Sequence, residues 1–199
     1  MITVLGIGPG AADLRLVGTQ PLLAAADLVI GAPRQLAEFD LPAAKTMQLP
    51  KLAVLKAFLA DHQRENIVLL ASGDPLLYGI GTWVLRELPA EPVRIVPGIS
   101  SIQYCFHQLG LSMADTYLTS SHGRQPDFDF LLAHDRIGMV TDTKIGPYQI
   151  AQAILARGQR RNVFVGENLS YPDEKISRFT AATVPDREFG LNVVVITHE

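Results

Sequence analysis

Three short polar clusters hold the residue types that could do chemistry in this chain. Ser121-His122-Gly123-Arg124 combines an imidazole, able to take or give a proton near neutral pH, with a guanidinium able to grip a carboxylate through two N–H groups. Ser72-Gly73-Asp74-Pro75 sets a carboxylate in a glycine turn, and Pro97-Gly98-Ile99-Ser100-Ser101 sets two hydroxyls in another. A solvated loop is the competing reading of the first cluster, and plain structural turns are the competing reading of the other two. Lys144 adds a cation two residues after Asp142.

Other chemistries find no support. The five histidines, His62, His107, His122, His134 and His198, are scattered, with no i, i+4 pair, so no metal motif is present. His107 falls in a mostly apolar stretch and reads as structural. Cys105 is the single cysteine, which rules out an intramolecular disulfide. It lies in an apolar stretch predicted to be helical and reads as an inert small hydrophobe. No nucleophile elbow or kinase signature occurs, and no glycine turn runs into Gly-Lys-Ser/Thr, which disfavours nucleotide hydrolysis.

The elements that must position these clusters follow a repeated plan of buried strand, glycine turn and helix. Met1 to Ile7 is a near-continuous apolar run, as expected of a strand covered on both faces, and it enters Gly6-Ile7-Gly8-Pro9-Gly10. Residues 67–71 and 92–96 repeat the pattern into the turns at Gly73 and Gly98. A strand at 27–30, a short edge strand at 46–49 and helices at 19–26, 33–39, 51–63, 79–88 and up to Leu109 complete a predicted parallel α/β unit. In such sheets ligands bind at the carboxyl ends of the strands, where all three turns fall. The second half predicts strands at 116–119, 137–140, 162–166, 174–180 and 192–197, the last two alternating like antiparallel strands, and helices at 127–134 and 146–157. A composition change at 110–116 suggests domains of 1–112 and 113–199.

Gly6-x-Gly8-x-x-Ala11 also fits a dinucleotide fingerprint. That motif should open a helix at once and meet an acid at the end of the next strand. Here Pro9 to Leu14 reads as loop, and the next strand begins with its acid, Asp27, and ends in Gly31-Ala32-Pro33. Only Arg34 is placed where a 2′-phosphate could be met. A nicotinamide enzyme is therefore the weaker reading.

The chain has 199 residues, 48% of them hydrophobic and 19% charged, with a formal net charge of −3. This is a globular composition, and without a basic run it does not suggest a nucleic-acid binder. No apolar run reaches the ~18 residues of a membrane span, and no basic segment opens an apolar leader. A soluble, cytoplasmic protein is the expectation.

Taken together, Val4-Leu5-Gly6-Ile7-Gly8-Pro9-Gly10, Ser72-Gly73-Asp74-Pro75 and Val96-Pro97-Gly98-Ile99-Ser100-Ser101 resemble the tetrapyrrole methylase family. Ser121-His122-Gly123-Arg124, Val140-Thr141-Asp142 and the segment from Gly166 to Ile176 resemble its cobalt-precorrin-7 C5-methyltransferase branch, which also forms the N-terminal part of precorrin-6Y C5,15-methyltransferases. Thr143 to Pro147 and Ser121 depart from that branch's pattern. The resemblance implies a mostly parallel N-terminal domain, a mixed-sheet α/β C-terminal domain, and S-adenosylmethionine held in a cleft between them. Carried over, Pro9, Gly10, Gly73, Asp74, Leu77, Ser100, Ser101, Thr141, Asn168, Leu169 and Asn192 would contact the cofactor. His122, Arg124 and Lys144 would hold the carboxylate-bearing macrocycle, and His122 or Asp74 would accept a proton. The family also implies a homodimer and a functional partner for C15 methylation and decarboxylation. A diphthine synthase, a different precorrin methylase or a non-catalytic binding module remain the alternatives.

Overall fold

A computed structural model describes the whole chain, Met1–Glu199, which divides into two compact units, Met1–Ser100 and Ser101–Glu199. In the first unit, strands β1 (Ile2–Gly6), β2 (Leu28–Gly31), β3 (Thr46–Gln48), β4 (Ile67–Ala71) and β5 (Val93–Val96) form an all-parallel sheet ordered β3-β2-β4-β1-β5. The continuous apolar runs are explained by cover on both faces. Ile2 and Val4 of β1 join Ile67 and Leu69 of β4 in one cluster, packed with Leu55 and Leu59 of α3 (Leu52–Asp61) and Val84 of α4 (Ile80–Glu87). Leu5 joins Val68 and Leu70 on the opposite face, with Leu23 of α1 (Thr19–Ala24) and Phe39, which follows α2 (Pro33–Leu36). The period-2 geometry of a strand thus divides one apolar run between two cores. Leu52 opens α3 and is exposed.

The second unit contains α5 (Ser101–Leu109), β6 (Thr116–Ser120), α6 (Phe128–Leu131), β7 (Arg136–Val140), α7 (Pro147–Leu155), β8 (Arg161–Glu167), β9 (Lys175–Thr180) and β10 (Asn192–His198). Its sheet is mixed, ordered β6-β7-β10-β8-β9. β6 runs parallel to β7, whereas β10 runs antiparallel to both β7 and β8, and β9 antiparallel to β8. One face carries the core of Ile137, Met139, Val163, Val165, Val194 and Ile196 under Phe128 and Leu131 of α6 and Ile150 and Ile154 of α7. α5 covers the other face. A Cβ on Gly138 would lie 2.6 Å from Ile102 Cγ2, so the helix seats where β7 lacks a side chain.

This packing moves the boundary of the compact units from the expected 112/113 to Ser100/Ser101. The composition change near Gly110 marks the end of α5, where Gly110 turns with φ +65°. No helix is long and apolar enough to cross a membrane.

Candidate active site

In the first unit β4, β1 and β5 are adjacent and parallel, so their following turns emerge together at one sheet edge. The turns are in backbone contact. Gly73 N–H donates to Gly8 O at 2.8 Å and Gly8 N–H to Gly73 O at 3.4 Å. A Cβ on Gly98 would lie 2.2 Å from Gly73 O and 2.9 Å from Gly6 C, and one on Gly6 would lie 2.6 Å from Gly98 N. Three turns can close on each other here only because none of these residues has a side chain.

Asp74 completes that closure. Its Oδ1 accepts from the N–H groups of Leu76 (2.8 Å) and Leu77 (3.1 Å), and its Oδ2 from Gly98 N–H (3.3 Å). The carboxylate is therefore already engaged in shaping its own turn and the one after β5. Pro9 and Gly10 are buried, Ser100 is buried, and Leu77 and Ser101 are half-buried. Arg15, which the sequence reading passed over, braces the first turn. Its Nη2 donates to Gly10 O (3.2 Å) and to Glu38 Oε2 (2.7 Å), and its guanidinium lies over the Phe39 ring.

In the second unit the carboxyl ends of β6, β7 and β8 share an edge with the amino ends of β9 and β10. Ser121, the departure from the family pattern, is buried. Its N–H donates to Val140 O (2.9 Å) and its hydroxyl to Ile145 O (2.8 Å), tying the loop after β6 to the loop after β7. Asp142 ties the same loops by accepting from Gly123 N–H at Oδ2 (2.9 Å) and from Lys144 and Ile145 N–H at Oδ1 (both 2.9 Å). The Gly123 bond, with the other two and the nearby His122, holds the Asp142 carboxyl below the usual range. The side chains of His122, Arg124 and Lys144 are exposed at this edge. Arg124 is oriented from behind, its Nε donating to Ser120 O at 2.7 Å.

Asn192 begins β10 level with Thr141, whose hydroxyl donates to Asn192 Oδ1 at 2.7 Å. Asn168 follows β8 in the left-handed region (φ 47°), with its N–H on Leu191 O (2.8 Å) and its amide nitrogen on Asp173 (2.7 Å). Leu169 is buried, with Cδ2 in the space that a Cβ on Gly166 would need. A pair missed from sequence holds this corner. Arg187 donates to both oxygens of buried Glu167, at 3.0 and 2.7 Å, while Gly190 N–H donates to Glu167 Oε1 at 3.2 Å. Arg187 lowers the Glu167 carboxyl below its ordinary value. The local hint was a carboxylate directly after the apolar 163–166 run of β8; its partner lies 20 positions away and leaves no local pattern. Cys105 is buried, and burial pushes its thiol up to about 12, in keeping with an inert residue.

The donor set of the first unit's edge can be tested against the implied cofactor. Gly6–Gly10, Gly73–Leu77 and Pro97–Ser100 contain no Lys or Arg, and they offer backbone groups and the Ser100 hydroxyl instead. That fits S-adenosylmethionine, which has ribose hydroxyls, adenine and an amino-acid end but no phosphate.

A model of the Tetrapyrrole (Corrin/Porphyrin) Methylases matches residues 1–185. The cobalt-precorrin-7 C(5)-methyltransferase of Salmonella typhimurium is 39% identical, over 100% of both chains. The decarboxylating precorrin-6Y C(5,15)-methyltransferase of Sinorhizobium sp. is 29% identical over 91% of this chain and 45% of its own length. Among solved structures, uroporphyrin-III C-methyltransferase from Thermus thermophilus, complexed with S-adenosyl homocysteine, matches with a TM-score of 0.79 at 22% identity, covering 98% of this chain and 96% of its own. Parallel sheet, glycine turns and mixed second sheet thus fall in a known class of α/β methylases. This chain belongs to the tetrapyrrole (corrin/porphyrin) methylase family.

Proposed function

We propose that this chain is an S-adenosylmethionine-dependent methyltransferase that methylates C5 of cobalt-precorrin-7 in cobalamin biosynthesis. The observation that carries this reading is the 39% identity to the Salmonella enzyme of that name across the full length of both chains. When bound, S-adenosylmethionine supplies an electrophilic sulfonium methyl. The chain's own work is then mainly to position, because a reduced tetrapyrrole is nucleophilic at C5 through its conjugated nitrogen.

In this reading Pro9, Gly10, Gly73, Leu77, Ser100, Ser101, Thr141, Asn168, Leu169 and Asn192 contact the cofactor. Asp74 acts through the turns it holds, since its oxygens already accept three N–H groups. Arg124 and Lys144 meet substrate carboxylates, and exposed His122 takes up a proton. The enzyme works in the cytoplasm as a homodimer. A C15-methyltransferase/decarboxylase is its functional partner, a reading supported by the relative more than twice as long that carries both activities in its name.

Purified protein, S-adenosylmethionine and cobalt-precorrin-7 test the proposal. A product heavier by one methylene unit, with the new methyl located at C5 by NMR, is the expected result. Binding heat with NADP and none with S-adenosylmethionine would overturn it in favour of a nicotinamide enzyme.

A further inference from the structure

We propose that Arg34 and Ser72 form a receptor for one carboxylate arm of the tetrapyrrole substrate, beside the glycine turns. The inference rests on the function proposed above and adds a binding site to it. β2 neighbours β4 in the sheet, so the segment after β2, which holds Arg34, emerges at the same edge as Ser72 after β4. With strands about 4.8 Å apart, β2 lies roughly 10 Å from β1, placing the pair on the flank of the three turns.

The hydrogen bonds make this a built site. Ser72 Oγ accepts from Arg34 Nη2 at 2.7 Å and from Gln35 Nε2 at 2.8 Å. Gln35 is buried, and its Oε1 accepts from Ala32 N–H at 2.7 Å, which fixes the amide with its nitrogen towards Ser72. Gly31 leaves room for this arrangement, since a Cβ there would come within 3.3 Å of Gln35 Oε1. A hydroxyl has two acceptor sites and one proton. Both acceptor sites are filled by N–H donors, so the Ser72 proton is left to donate outward.

That proton sits beside the planar guanidinium that the same contact orients. Two adjacent donors, one of them cationic, match the paired oxygens of a carboxylate. They would repel the sulfonium and ammonium groups of the cofactor, which favours the substrate as the carboxylate's source.

Steady-state kinetics with cobalt-precorrin-7 and calorimetric titration with S-adenosylhomocysteine test this on wild type, Arg34→Ala, Arg34→Lys and Ser72→Ala, with thermal unfolding as the check on folding. Arg34→Ala should raise the KM for the tetrapyrrole about tenfold or more. Arg34→Lys should recover part of that loss, keeping the charge without the fork, and Ser72→Ala should raise KM less. S-adenosylhomocysteine affinity should stay within about twofold in all three variants. An unchanged KM in Arg34→Ala overturns the receptor. So does weakened S-adenosylhomocysteine binding with KM unchanged, which would make the pair a support for the cofactor turns. Failure of the wild type itself to methylate the tetrapyrrole would overturn the function beneath the receptor, and shows before any variant is made.

Discussion

The two units gather loops at a sheet edge by opposite means. In the first, Gly6, Gly73 and Gly98 bring three turns into backbone contact because side chains are missing. In the second, side chains span the gaps: Ser121 and Asp142 join the loops after β6 and β7, Thr141 joins β7 to β10, and Glu167 joins β8 to the segment before β10. Sheet type accounts for the difference. Three adjacent parallel strands deliver their turns side by side in one direction, so close approach is limited by Cβ atoms. In the mixed sheet β10 enters the edge from the opposite direction, and its loops must be tied across the strand. The first edge should therefore fail when atoms are added, the second when acceptors or charges are removed.

Adding one methyl group in the first unit should have the largest effect. Gly98→Ala forces a Cβ against backbone atoms of Gly73 and Gly6, which cannot swing away as a side chain would. A loss of about 3 kcal/mol is expected from overpacking, together with weaker S-adenosylhomocysteine binding. Denaturant unfolding and calorimetry check both, and a fully stable variant would break the contrast between the units. In the second unit Glu167→Gln keeps the shape and removes the charge facing Arg187. Because Arg187 is 38% exposed, screening should limit the loss to about 1–2 kcal/mol.

A smaller effect is expected of Thr141→Val, which deletes the hydrogen bond to Asn192 while nearly keeping volume. About 1 kcal/mol should be lost, read as a shift in the denaturant midpoint. Smallest is the pH response of the wild type. The carboxyls of Glu167 and Asp142 are lowered from ordinary values of 4.5 and 3.8. Their stabilisation is thus present above those values and is lost as pH falls through the lower folded ones. The unfolding midpoint should drop as pH is taken below about 4, less steeply in Glu167→Gln than in wild type. Equal slopes would remove Glu167 from the account.

Much of the first unit was legible in the sequence because its signals are local. The apolar runs of β1 and β4 announce strands covered on both faces, whereas β5, expected to be buried like them, lies at the sheet edge and is only partly buried; each glycine turn follows its strand directly. The roles of Asp74 and Ser121 were not legible. Asp74 reads as a reactive carboxylate in isolation, and only the approach of Gly98 N–H, 24 positions away, reveals its part in closing the turns. Ser121 reads as a departure from pattern until Ile145 O, also 24 positions away, is found above its hydroxyl. The compact units part at Ser100/Ser101 rather than at 112/113 for the same reason, since the ties of α5 to β7 and β10 are tertiary contacts.

Strand identity, turn chemistry and family membership were thus set by residue order alone, through burial periodicity and the conformational freedom of Gly8 and Gly73, both at positive φ. Strand order decided the rest. It brought β4, β1 and β5 together so that three turns share one edge. It set β10 between β7 and β8 so that Asn192 meets Thr141, and β2 beside β4 so that Arg34 meets Ser72. Hydrogen-bond partners tens of residues apart leave no periodic trace in a chain, and only folding makes them neighbours.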